Sequence, residues 1–215
     1  MVAEQIKLNL GCGLDYRRGW VNLDFNKEVK ADIYISLEYF PWPIESNKFD
    51  YILACGILEH ITPTNLIKVI EELHRICKPN ALIDIYVPHR SGMYAFNHLT
   101  HYSFFGLGKF DTFRPEGIFN GERYSKVRFN VKREILNFFD HNIINYRFLS
   151  KLPINWIFNF NRTWQMLMER FQFLGFDEIY YQLEVIKDTH VQNQKKSLSS
   201  SSKTHIRNSF IRTRN

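Results

Sequence analysis

The stretch Leu8–Asp24, LNLGCGLDYRRGWVNLD, constrains this chain more than any other. An apolar run breaks at Gly11-Cys12-Gly13 and recovers into a second apolar run that ends on an acid. Glycine at the end of a strand lets the backbone turn tightly and approach a ligand, and the N–H groups of such a turn can hold a polar or anionic group. An acid closing the next strand can accept two hydrogen bonds from a ribose diol. Gly11, Gly13 and Asp24 therefore predict a ribose-bearing ligand at the carboxyl edge of a sheet. Dinucleotide sites follow GxGxxG, with the acid about 20 residues further on. Here Tyr16 stands at the third glycine position, and ten residues separate Gly13 from Asp24. The segment LDYRRG has room for one helical turn at most. A pyrophosphate rests on the N-terminus of that first helix, so nicotinamide and flavin dinucleotides are disfavoured.

The rest of the chain supplies the sheet. Ile6–Leu10, Trp20–Asp24, Ala31–Ser36, Phe49–Ala54 and Leu82–Val87 read as short, largely apolar strands. Between the last two, Thr62 as N-cap and Pro63 at the first helical position announce a helix. Leu66, Val69, Ile70, Leu73, Ile76 and Cys77 give it one apolar face, and Pro79-Asn80 stops it. Beyond Pro88 the pattern loosens. Val127–Val131 predicts a sixth strand, residues 133–174 read as mostly helical and aromatic, and Glu178–Ile186 reads as the last strand. The expected fold is α/β, a Rossmann-like, doubly wound, mostly parallel sheet with an antiparallel closing strand and a helical, aromatic-rich cap. The cap rings Trp156, Phe158, Phe160, Trp164, Phe171 and Phe173 either fill a local core or face a membrane.

Length and charge set the domain plan. A chain of 215 residues suits one domain with a full core. No apolar run reaches the ~18 residues of a membrane span, and the N-terminus has no signal-peptide pattern. Cys12, Cys55 and Cys77 lack the spacing of a disulfide framework or a zinc site, which fits a reducing cytoplasm. The net charge of +6 sits wholly in residues 189–215, which carry six basic residues and no acid. Residues 1–188 are expected to be the catalytic domain, with the cap inserted at about 132–176. The basic, Ser-rich segment 189–215 is expected to be a disordered tail, solvated or touching an anionic partner such as RNA or lipid.

S-adenosylmethionine meets the requirements of the opening stretch. It has a ribose diol, an adenine and an amino-acid end, and no phosphate. In addition, LNLGCG, GWVNLD, FPWPIESNKFDYILACGILEHI, IEELHRICKPNALIDIYVP, HLTHYSFF and MERFQFLGFDEIYYQLEVIK occur in order. Through them the chain resembles the class I S-adenosylmethionine-dependent methyltransferases over roughly residues 6–188. It is most similar to small bacterial and archaeal members with a shortened first helix. The resemblance implies that Gly11, Cys12 and Gly13 cradle the methionine portion of the cofactor and that Asp24 binds the ribose hydroxyls. Ser36 and Leu37 would lie beside the adenine, and Ala54, Cys55 and Gly56 near the sulfonium. Glu59-His60 would close over that edge. Asn9 and Ser36 stand where the family often has acids, and KPNALI replaces its usual Lys-Pro-Gly-Gly turn.

Methyl transfer from a sulfonium is mainly a problem of alignment. A hydroxyl acceptor also benefits from a general base. The candidates are His101 and His89 on the loop after the fifth strand, with His98 and Tyr102 nearby. His89, His98 and His101 lack a flanking carboxylate or cysteine at ligand spacing, so no metal site is expected. The acceptor is expected to be a small polar molecule, possible classes being a sugar or glycan hydroxyl, as the resemblance suggests. The alternatives are RNA or protein methylation anchored by the basic tail, and a catalytically inactive cofactor-binding partner protein. Oligomeric state is not legible in the sequence.

Overall fold

The strands are β1 (Lys7–Leu10), β2 (Val21–Asp24), β3 (Ile33–Tyr34), β4 (Phe49–Cys55), β5 (Cys77–Pro88), β6 (Arg128–Asn137) and β7 (Glu178–Ile186). They form one sheet in the order β3-β2-β1-β4-β5-β7-β6 in a computed structural model that describes residues 4–115, 124–138, 154–171 and 175–187. The pairs β1·β2, β1·β4, β2·β3 and β4·β5 are parallel, and β7 runs antiparallel to β5. β6 also opposes β7 in direction: Asn130 donates to Glu184 and Asn137 to Glu178, contacts at opposite ends of the two strands. The strand order reverses between β1 and β4, and ligands of open α/β sheets bind at the carboxyl ends beside such a reversal.

Helix α1 (Pro63–Ile76) links β4 to β5 and starts at Thr62, as the sequence predicts. Its cap is not the threonine side chain. The Glu38 carboxylate instead accepts from the Thr62 N–H (2.8 Å) and hydroxyl (2.6 Å). Those bonds, the hydroxyl one above all, hold the Glu38 carboxyl below its ordinary range against the effect of burial. Val69, Ile70, Leu73 and Ile76 are buried in one core with Phe49, Ile83, Ile85 and Val87. Each such side chain contributes about 1.5–3 kcal/mol by leaving water. Arg75 of α1 ties down the loop before β4, donating to the carbonyls of Trp42 and Ile44 and to Glu72.

β5 alternates cleanly from Ala81 on. Ala81, Ile83, Ile85 and Val87 are buried, while Leu82, Asp84 and Tyr86 are half-buried on the other face. On that face Asp84 accepts from the Tyr51 hydroxyl (2.6 Å), the Tyr180 hydroxyl (2.9 Å) and the Gln182 amide (3.0 Å). Burial, and after it the bond to Asp84, pushes both hydroxyls far above the usual tyrosine range.

Several sequence expectations change. β3 spans two residues, and β5 begins at Cys77, where α1 ends. Pro79-Asn80 thus lies inside an irregular start of the strand, with Asn80 left-handed at φ 62°. Residues 133–137 are strand: pairing beside β7 and burial of Leu136 override the helical reading. Helices α2 (Met93–Asn97), α3 (Ile154–Phe158) and α4 (Arg162–Phe171) are short. Of the cap rings only Phe158 is buried, against Phe138 and Phe176. Trp156, Phe160, Trp164 and Phe171 are exposed, and Phe173 lies outside the described residues. No described helix is long and apolar enough to cross a membrane. The chain divides after Val185, and of the second unit only Ile186 and Lys187 are described, so the predicted tail at 189–215 lies outside the described residues.

The links β1–β2, β2–β3 and β3–β4 contain no helix. Side-chain bonds replace it in the first. Asn22, fully buried in β2, donates its amide to the carbonyls of Arg17 (2.9 Å) and Trp20 (3.1 Å) and to Asp32 (3.0 Å). Its side-chain oxygen accepts from Arg17 N–H (2.9 Å) and from Asn9 (3.3 Å). Asn9 in turn donates to the Asp15 carbonyl (2.7 Å). Replacing Asn22 by Ala strips several buried groups of partners, so chemical denaturation should show a loss of about 2–3 kcal/mol.

Candidate cofactor and acceptor site

The carboxyl ends of β1, β2 and β4 converge on two glycine turns. Gly11 is left-handed at φ 66°, and a Cβ there would lie 2.6 Å from Ile57 Cγ1. Gly13 is also left-handed at φ 49°, but faces open space. Asp24, buried at the end of β2, accepts from the Gly13 N–H at 2.8 Å and the Asn26 N–H at 2.9 Å. The turn and the acid are thus one hydrogen-bonded unit. Cys12 is buried beneath it. Its backbone N–H donates to the Leu23 carbonyl, and its thiol meets the Lys30 carbonyl. Burial, then the Asp24 charge, pushes that thiol up, so it stays protonated and unreactive.

Ser36 and Leu37 follow β3 on the same edge. The Ser36 hydroxyl accepts from Glu38 N–H (3.3 Å), and the buried Leu37 offers its carbonyl to the Trp42 indole (3.1 Å). Ala54 is fully buried, while Cys55 is half-buried and Gly56 turns out of β4 at φ 64°. A 3-10 turn at Leu58–His60 follows. The Glu59 carbonyl there accepts from the N–H groups of Tyr102 (2.8 Å) and Ser103 (3.0 Å). This brings the loop after α2 onto the turn, so His60, His98 and His101 meet. The His60 and His101 ring centroids are 4.8 Å apart, and those of His98 and His101 4.5 Å. Burial, more than any neighbouring charge, lowers the pKa of both His60 and His101.

Residues 8–84, which hold the glycine turn, Asp24 and the turn at His60, match the family described as "Methyltransferase domain". No curated protein matches the chain. Among solved structures, an S-adenosylmethionine-dependent methyltransferase from Archaeoglobus fulgidus is similar at 15% identity and TM-score 0.47, over 85% of this chain and 86% of that one. A chain of the Haloferax volcanii complex between the Trm112 methyltransferase activator and a proposed methyltransferase aligns at 12% identity and TM-score 0.50, over 85% and 83%. A proposed sarcosine dimethylglycine methyltransferase from Galdieria sulphuraria aligns at 16% identity and TM-score 0.50, over 84% and 78%. This is a class I methyltransferase fold.

Within this methyltransferase fold, Gly11, Cys12, Gly13, Asp24, Ser36, Leu37, Ala54, Cys55, Gly56 and His60 all lie at or after the carboxyl ends of β1–β4. Asn9 does not have a free amide for a ligand. Its side chain is spent on Asp15 and Asn22, holding the shortened first crossover. His89 is displaced further from its expected role. It is fully buried, and its Nδ1 accepts from the Ser91 N–H (3.1 Å), so Nε2–H donates to Glu169 of α4 (3.0 Å). The bond docks α4 on the end of β5, and His89 exposes no surface to a ligand. Burial pushes the Glu169 carboxyl up. The bonds from His89 and from Leu107 N–H, with the Arg90 charge, outweigh that and leave it below the ordinary range.

Sequence reasoning missed four residues here. Asn26 lies two positions after Asp24, an Asx-turn spacing that could have flagged it. Ile57 and Glu169 have no comparable local signal, because their partners are distant in sequence, and Asn22, whose partners Arg17 and Trp20 are near, sits inside an apolar run that reads simply as strand. Beside α4, an open cleft of about 930 Å³ is lined by Arg90, Asp111, Arg162, Trp164 and Arg170, among others.

Gly11→Ala forces both a left-handed alanine and a displaced Ile57, whereas Gly13→Ala meets only the backbone penalty. Gly11→Ala should therefore unfold at clearly lower denaturant than Gly13→Ala, whose loss should stay near about 1–2 kcal/mol. The Glu169 carboxyl titrates lower in the folded chain than in the unfolded one. Its contribution is thus present above the ordinary value of 4.5 and is lost as pH falls through the lower folded value. Glu169→Gln should destabilise the protein at pH 7 by about 1–3 kcal/mol and flatten the acid limb of melting temperature against pH.

Proposed function

We propose that this chain is an S-adenosylmethionine-dependent methyltransferase acting on a small polar acceptor with a hydroxyl group, of the sugar or glycan kind. S-adenosylmethionine is the methyl donor of this fold, and its sulfonium supplies a methyl group that is already activated. The observation that carries the reading is Asp24. A carboxylate has about four lone-pair positions. Gly13 and Asn26 use two, which fixes the group and leaves capacity for the two hydroxyls of a ribose. Phe25, 70% exposed beside it, offers an aromatic face to the adenine, on the side where Ser36 and Leu37 follow β3.

The chain's own residues do the aligning. The Gly11–Gly13 backbone holds the amino-acid end, and Gly56 lets the chain leave β4 beside the reacting atoms. His101, neutral and half-buried, serves the acceptor hydroxyl as a proton acceptor. The arginine-lined cleft beside α4, with Arg90 just after β5, is a second polar surface that a charged acceptor group can meet. The three free cysteines suit a reducing cytoplasm.

Calorimetry with S-adenosylmethionine or its demethylated product tests the core of the proposal. Wild-type protein should bind with micromolar-scale affinity, and Asp24→Ala should weaken binding by about 1–3 kcal/mol by removing the partner of the ribose hydroxyls. Absence of binding by the wild type would falsify the reading.

A further inference from the structure

The loop at 98–101 and the turn at Leu58–His60 assemble something neither segment signals alone. One nitrogen from each of His60, His98 and His101 lies within 4.8 Å of the others. His60 Nδ1 faces the Thr100 carbonyl at 3.0 Å, and His101 Nδ1 faces the Ala95 carbonyl at 3.3 Å. A carbonyl only accepts, so these two rings carry their proton on Nδ1 and present a bare Nε2 lone pair. His98 Nδ1 faces the Thr100 hydroxyl at 3.0 Å, and that oxygen also lies 2.8 Å from His60 Nδ1. The hydroxyl can accept from His98 or donate to it, so the His98 tautomer follows from what its Nε2 meets. An oxygen partner on one ring nitrogen, which leaves the other for an ion, is what orients imidazoles that ligate metals.

We infer that His60, His98 and His101 form a three-histidine site for a divalent transition-metal ion, of which Zn²⁺ is the fitting choice. Three neutral imidazoles without a thiolate favour Zn²⁺ and its neighbours over Mg²⁺ or Ca²⁺, which take oxygen ligands. Zinc–nitrogen bonds of about 2.0–2.1 Å in tetrahedral geometry put the nitrogens about 3.4 Å apart. The present spacing of up to 4.8 Å is wider, and binding of the ion draws the rings together. Three protein ligands leave one position open, the arrangement of a zinc ion that takes an outside oxygen. His60 lies in the turn that follows β4, at the edge proposed to hold the cofactor, and on that reading the oxygen is the acceptor hydroxyl. The ion lowers the hydroxyl's pKa and its proton passes to solvent. The oxygen then forms a bond to the methyl carbon as the carbon–sulfur bond breaks, leaving S-adenosylhomocysteine. In that arrangement His101 serves the acceptor as a ligand of the ion. The assignment of the metal rests on ring geometry, and only the role of the ion rests on the methyltransferase reading.

The test uses the full chain, stripped with chelator and titrated with ZnCl₂ and, in parallel, with CoCl₂. Wild type is expected to bind one Zn²⁺ by equilibrium dialysis with metal analysis. Co²⁺ should give the visible absorption of a low-coordinate nitrogen site. His98→Ala removes an exposed ligand and should weaken Zn²⁺ at least tenfold with an unchanged melting temperature in the metal-free state. His60→Ala should do the same. Zinc binding that is absent in wild type, or unchanged in both histidine variants, overturns the site. Should His60→Ala fold poorly, His98→Ala alone decides. Calorimetry of S-adenosylmethionine on the stripped protein separates the two readings: cofactor binding without zinc binding removes the ion and leaves the methyltransferase reading standing.

Discussion

The buried amide of Asn22 is the constraint on which the cofactor edge depends. A methyltransferase sheet needs a route from β1 to β2 that delivers the glycine turn at one end and the acid at the other. A helix makes that route rigid with its own hydrogen bonds. This chain crosses without one, and a crossing loop leaves backbone groups that must find partners elsewhere. Asn22 supplies them. It bonds to Arg17 through both amide atoms, to Trp20 and Asp32, and to Asn9 on the neighbouring strand. A short loop held by one central side chain thus stands in for a helix held by many local bonds.

The same economy recurs across the sheet. Helix α1 is the only helix among the described residues that links parallel strands, and the sheet face opposite its apolar core is dressed with half-buried polar and aromatic side chains. Asp84 binds β4, β5 and β7 together there through Tyr51, Tyr180 and Gln182. Stitching by side chains also docks α4, through His89 and Glu169, and the loop before β4, through Arg75. Each stitch uses a charged or polar group that is satisfied at both ends, which is what makes burial of such groups tolerable.

How far the sequence reveals this depends on the range of the interaction. Periodicity and capping residues are local, so the strands around Gly11, Asp24 and Ala54 and the start of α1 at Thr62 are legible. The glycine–acid pairing is legible for the same reason, since ten residues separate its parts. Residues 133–137 mislead, because their strand state comes from β7, about forty positions away along the chain. His89 misleads in a related way. A histidine after a parallel strand is correctly placed at the sheet's edge, but its partner Glu169 is 80 residues on, and that partner buries it. His60 is the converse case. It reads as a cofactor-edge residue, and only the bonds from Tyr102 and Ser103 to the Glu59 carbonyl bring His98 and His101 to its side.

Asp24 has a consequence for turnover. Its carboxylate is held by the chain's own amides, so the group proposed to meet the ribose is already fixed before any ligand arrives. Such a site does not collapse when a product departs, and exchange of one nucleoside for the next needs no reordering of the turn. On the proposed reading, the entropy that binding must still remove falls on the acceptor side, beside a loop that runs through exposed Met93, Tyr94, Phe96, Leu99 and Tyr102. Under the proposed function, discrimination among acceptors belongs to that loop, and a change of substrate can arise there while the nucleoside end stays as it is.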